Sequence, residues 1–147
     1  MPKSREGFTL IELMIVMVIM GILATMAFSN WLSMQATAKE GAVKVNCHTV
    51  QLAAEDFAVR NNGVYSDGND ALPNGGGTLK DLLPGAHLLT NPFTKQVTEP
   101  QFGARAARAG ETGYVAVIQN GVNVGYTIDG IGRDPIDGAL IVLTSGQ

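Results

Sequence analysis

The chain has 147 residues, 46% of them apolar, and a formal net charge of −3. That length gives room for one domain, and the scattered Lys and Arg residues form no visible basic face for phosphates, so no nucleic acid is directly indicated as a partner. A single cysteine, Cys47, excludes an internal disulfide staple, so a domain outside the cytoplasm must hold together by packing.

The chain opens with a short charged segment, Met1 to Gly7, in which Lys3 and Arg5 outweigh Glu6. It runs directly into Phe8-Thr9-Leu10-Ile11-Glu12, and no charge follows between Leu13 and Phe28. Positive charge just ahead of an apolar run is the pattern of a membrane-inserted segment. A cleaved secretory signal would use Lys3 and Arg5 as its basic region, Leu13 to Leu23 as its apolar core and Thr25-Met26-Ala27 as its cleavage site. Glu12 opposes that reading, because an acid at the front of the core hinders insertion, and the apolar periodicity continues past Ala27. A plain membrane anchor meets a different difficulty. Leu13 to Phe28 falls short of the roughly 20 residues a bilayer needs. Adding Phe8 to Glu12 reaches that length only by burying a carboxylate, at roughly 2.5–3.5 kcal/mol in mid-bilayer and less near an edge.

A third reading gives the acid a purpose. Gly7-Phe8-Thr9-Leu10-Ile11-Glu12 resembles the cleavage and methylation signature of type IV prepilins and type II secretion pseudopilins, and the resemblance extends over Lys3 to Phe28. It implies that a membrane-embedded prepilin peptidase cuts between Gly7 and Phe8 and N-methylates Phe8. Glycine suits the scissile position because it offers no side chain to obstruct a buried active site and lets the backbone leave helical geometry. The resemblance further implies that Glu12 pairs with the new terminal amine of a neighbouring subunit during filament assembly. A desolvated ammonium and carboxylate are each costly alone, so pairing them sets axial register. Gly21 stands where family members have a helix-weakening glycine, while Ser29 replaces the proline that commonly follows it. Melting of the helix would therefore rest on Gly21 alone.

Helical periodicity continues downstream. Val43, Cys47, Val50, Ala54 and Phe57 recur at spacings of three and four, marking one helical face, and Val45, Leu52 and Val59 form a second stripe. Cys47 on the first stripe reads as a small buried hydrophobe rather than as half of an intermolecular disulfide. Asn61-Asn62-Gly63 stops the helix. One helix over 8–61 follows, roughly 80 Å long at about 1.5 Å per residue.

Beyond Tyr65 the chain loosens. Asp67 to Gly77 reads as a loop, and Thr78 as the N-cap of a short helix ending by Pro84, with Leu79, Leu82 and Leu83 turned inward. The Gly-Gly-Gly-Thr-Leu-Lys stretch over 75–80 lacks the spacing of a phosphate loop and follows no apolar strand, so it reads as a surface loop. Asn91-Pro92-Phe93 is a turn. Tyr114 to Ile118 and Val122 to Ile128 flank Gln119-Asn120-Gly121, a strong hairpin signal, and Ala139 to Thr144 gives a third strand after an Asp129 to Gly138 loop.

Catalytic groupings are not legible. His48 and His87 lie far apart without partners at metal spacing, and Glu55-Asp56 reads as a solvated helix face. Asp129, Asp134 and Asp137 are candidate calcium ligands, because the resemblance to major pseudopilins implies a calcium site in a C-terminal loop and carboxylate oxygens suit that ion. Their spacing matches no calcium loop, and Arg133 opposes the charge, so a turn-rich loop is the simpler reading.

The expected fold is α+β. A leader over 1–7 precedes a long N-terminal helix over 8–61, whose transmembrane and assembly part is 8–28 and whose amphipathic half packs on a small three-stranded antiparallel sheet. The head spans 62–147. The resemblance implies a filament subunit and no enzyme, without a cofactor unless calcium binds. Its partners would be further copies of the chain, related minor pilins, the prepilin peptidase, an inner-membrane assembly platform and, before assembly, lipid. The protein would cross the cytoplasmic membrane once with its head outside the cytoplasm, then enter a periplasmic or cell-surface filament. The absence of a C-terminal disulfide pair tilts the expectation toward a type II secretion pseudopilus. A type IV pilus for adhesion, motility or DNA uptake is the alternative. A monomeric membrane-anchored ligand-binding domain is the alternative from another class.

Overall fold

The computed structural model describes residues 7–73 and 75–146. Helix α1 occupies Leu10–Arg60, and the chain divides into two compact units with the boundary between Ala36 and Thr37. In the first unit, every described large apolar side chain from Phe8 to Met34 is exposed.

The second unit has a core, and the helical periodicity dictates it. Val43, Cys47, Val50, Ala54 and Phe57 are all fully buried. Val45, Leu52 and Val59 each lie two residues along from a buried position, which at about 100° per residue turns them to the opposite side, and all three are exposed. The helix ends as expected: Gly63 adopts a positive φ of 85° and its N–H donates to the Ala58 carbonyl at 2.8 Å.

Six strands follow, β1 (Leu89–Thr90), β2 (Val97–Glu99), β3 (Gln101–Phe102), β4 (Thr112–Gln119), β5 (Val122–Ile131) and β6 (Ala139–Thr144). The three expected antiparallel strands are β4, β5 and β6, and the hairpin turn at Asn120-Gly121 has the two positive φ angles, 51° and 79°, that such a two-residue turn requires. The sheet is wider than three strands. Its order is β3-β4-β5-β6, with β3 pairing parallel to β4, and β1 and β2 form a separate antiparallel pair. Two- and three-residue strands are too short to show alternation, which is why the sequence does not announce them.

The expected short helix after Thr78 is a 3-10 turn, Leu79–Leu82, followed by a second, Pro84–Ala86. Pro84 accounts for the break, since the residue before a proline avoids helical geometry and Leu83 is extended (φ −70°, ψ 155°). Leu79 and Leu83 are buried, and Leu82 packs partly against the core. The Thr78 N–H donates to the Asp81 carboxylate at 2.7 Å and the Thr78 hydroxyl at 3.0 Å, so the loop supplies its own anion.

Helix α1 lies close to the sheet at Gly130. A Cβ there would sit 2.7 Å from the Cys47 sulfur and 2.8 Å from Val43 Cγ1, so only glycine permits this approach. Burial pushes the Cys47 thiol up from its ordinary 9.0 to about 11, and the nearby Asp129 and Glu99 charges act in the same direction. Below pH 9 both folded and unfolded chains hold that proton and nothing changes. Between pH 9 and 11 the unfolded thiol ionises first, so stability should fall by roughly 2–3 kcal/mol over that interval. Tyr114 and Tyr126, also pushed up by burial, extend the loss at still higher pH. Urea denaturation of the full chain in detergent checks this. Cys47→Ala should flatten the curve between pH 9 and 10, and an unchanged slope in that variant would remove the thiol from the account.

Candidate functional site

The expected site residues cluster at the start of α1. Gly7, Phe8 and Thr9 precede the helix in non-helical conformation, Phe8 is 83% exposed, and a Cβ at Gly7 would meet nothing within 4 Å. The bond between Gly7 and Phe8 lies just ahead of the first helical residue, Leu10.

Glu12 has a role the residue pattern did not bring out. Its N–H donates to the Thr9 hydroxyl oxygen at 3.3 Å, while its carboxylate accepts the Thr9 N–H at 3.3 Å and the Thr9 hydroxyl at 3.2 Å. This is a capping box, with Thr9 as N-cap and Glu12 at the third helical position. Thr-x-x-Glu ahead of an apolar run is its sequence signal, and it was present at 9–12. The carboxylate also lies at the helix end where backbone N–H groups favour negative charge. Thr9 therefore holds the acid near the start of the helix.

Gly21 is helical, with open space where its Cβ would be. The helix continues through it. Among the described residues α1 is the one helix long and apolar enough to cross a membrane. Its exposed apolar surface includes a groove of about 360 Å³ lined by Ile11, Met14, Ile15, Val18 and Ile19.

A family model described as the prokaryotic N-terminal methylation motif matches residues 2–28. The amino terminus therefore carries an N-terminal methylation motif. The chain is also 46% identical over 56 residues to the type IV major pilin protein PilA of Myxococcus xanthus (strain DK1622), a match covering 38% of this chain and 25% of that protein. The chain thus spans about a quarter of the length of the curated relative it matches. No solved structure matches it.

The head separates the three candidate calcium ligands. Asp129 is buried within β5, where its carboxylate accepts the Ala106 N–H at 3.2 Å. Asp134 and Asp137 are exposed around a 3-10 turn, Pro135–Asp137, and the Asp134 carboxylate accepts the Ile136 N–H at 3.0 Å. They line a cavity of 340 Å³ with Glu40 and Arg133. Among the described residues no group of three or more His, Cys, Asp or Glu side chains is placed to hold a metal ion. The expectation of one Asp129, Asp134 and Asp137 cluster is therefore corrected. Strand β5 runs on through Asp129 to Ile131 because β4 and β6 pair with it on both sides, which carries Asp129 away from the loop.

A buried polar cluster in the head went unread in the sequence. Glu99 is fully buried, and its carboxylate accepts the Thr112 N–H at 2.7 Å, the Thr98 hydroxyl at 3.1 Å and the Asn91 side-chain amide at 3.2 Å. Asn91, from the expected turn, also accepts the Phe93 and Thr94 N–H groups at 2.9 and 3.1 Å. Glu55, read as part of a solvated face, instead accepts the Tyr126 hydroxyl at 2.6 Å and the Tyr65 hydroxyl at 3.1 Å.

Proposed function

We propose that this chain is a structural subunit of a type IV pilin-like filament, made as a membrane-inserted precursor and performing no catalysis. One observation carries the reading: the methylation motif at 2–28 leads into a helix whose described large apolar side chains from Leu10 to Met34 are exposed. Exposed apolar surface on that scale needs lipid or other apolar helices around it. In this reading a prepilin peptidase cuts between Gly7 and Phe8 and methylates Phe8, and an inner-membrane platform passes the subunit from lipid into a filament of further copies and related minor pilins. The head stands outside the cytoplasm. Between the two uses of such a filament, the relative whose name is type IV major pilin favours a pilus. The lone Cys47, which leaves no C-terminal disulfide pair, supports the secretion pseudopilus as the second reading.

Intact-mass and N-terminal peptide analysis of protein from its native membrane tests the processing. An N-methylated Phe8 is expected. A terminus at Phe28 would make the chain an ordinary secreted domain, and an uncut Met1 would leave a monomeric anchored protein.

Glu12 carries the second test. Glu12→Ala removes both the capping contacts and the charge, whereas Glu12→Gln keeps an acceptor for Thr9 and removes only the charge. Both variants should still insert and be cut, and both should lose most of the filament yield, since pairing with a neighbour's ammonium needs the carboxylate. Normal yield from Glu12→Gln would show that the acid serves the helix start rather than its neighbour.

A further inference from the structure

We infer that Trp31 is a membrane-interface anchor, holding the subunit at fixed depth in a phospholipid bilayer with Glu12 at the opposite boundary. The inference rests on the membrane insertion proposed above and adds where the span ends. Charge alone does not mark that end, because no charged residue occurs between Glu12 and Lys39. Polarity changes earlier: Ser29 and Asn30 open a stretch containing Ser33, Gln35 and Thr37. Trp31, the one tryptophan in the chain, sits at that change and is 61% exposed. A large ring with a single N–H donor favours the boundary between hydrocarbon and water, where its apolar body and polar edge are both accommodated.

The spacing agrees. From Glu12 to Trp31 the helix rises roughly 28 Å at about 1.5 Å per residue, close to the roughly 30 Å hydrocarbon thickness of a bilayer. Between them the Thr25 hydroxyl donates to the Ile22 carbonyl at 2.7 Å, so this polar group needs no water. Lys3 and Arg5, just before the Glu12 end, complement anionic headgroups on the cytoplasmic side. The membrane segment therefore passes Phe28 and closes at Trp31.

A sole tryptophan reports its own depth. The full chain is reconstituted in phosphatidylcholine–phosphatidylglycerol vesicles whose phosphatidylcholine is brominated either near the carbonyl end or near the methyl end of one acyl chain. The variant carrying Ile19→Trp with Trp31→Phe serves as a mid-span ruler. Flotation with the vesicles is measured first. Trp31 emission should be quenched strongly by the shallow bromines and weakly by the deep ones, with the ruler variant showing the reverse order. Strong quenching of Trp31 by the deep bromines would place it inside the hydrocarbon and overturn the anchor. A floating protein whose Trp31 responds to neither lipid would place the ring in water or against protein and also overturn it. Failure to float would overturn membrane insertion itself, a result distinct from the other two.

Discussion

Phe57→Ala is expected to destabilise the head by about 3–5 kcal/mol, the range for truncating a fully buried aromatic ring. Phe57 is fully buried in the cluster that joins α1 to the sheet, with Tyr114, Tyr126 and Ile128 among its members. The ring fills space that rigid strands cannot close, so a cavity term adds to the lost transfer energy. Against a typical domain stability of about 5–15 kcal/mol, such a loss removes a large share of the fold's margin. Val59→Ala is the matched control on the same helix. Val59 is 81% exposed, so its truncation should change stability by no more than about 0.5 kcal/mol. Denaturation of the full chain in detergent, followed by near-ultraviolet circular dichroism, reads both. Equal midpoints for the two variants would contradict the core described above.

The second large effect should come from Glu99. Glu99→Ala leaves the buried Thr112 N–H and an Asn91 amide proton without their acceptor. Leaving buried donors unpaired costs about 1–3 kcal/mol each, more where the lost acceptor was charged, so a total near 3 kcal/mol is expected. Glu99→Gln should fall between. Its carbonyl oxygen can serve one donor, but its amide group must then face another donor. The ordering wild type, Gln, Ala in denaturation midpoint supports the hydrogen-bond account. A Gln variant as unstable as Ala would mean that the loop tolerates only a carboxylate, and an Ala variant as stable as wild type would remove the cluster from the fold's support.

What the sequence made legible follows from periodicity and turn chemistry. The stripe from Val43 to Phe57 is fully buried because a spacing of three and four places those residues on one face. The Asn120-Gly121 turn is where expected because two adjacent positive φ angles suit few other pairs. At the candidate site the methylation motif over 2–28 is legible because it is contiguous in sequence, and the Thr9 contact to Glu12 has its own four-residue signal, Thr-x-x-Glu. The rest depends on contacts distant in sequence. Glu99 gives no local sign that it will be buried, since its partners Asn91 and Thr112 come from separate segments. Asp129-Gly130 looks like a turn, yet pairing of Asp129 with Gly113 on one side and Val142 on the other keeps it in the strand. Local preference yields there to tertiary pairing, as strand propensity often does.

The capping box at Thr9 and Glu12 has a consequence for the proposed cleavage. Both residues lie downstream of the Gly7–Phe8 bond, and the Thr9 N–H that Glu12 accepts belongs to the peptide linking Phe8 to Thr9. Removal of residues 1–7 would therefore take away none of the groups that make this cap. Such a cut would change the charge and chemistry of the terminus while leaving the start of the helix its own hydrogen bonds.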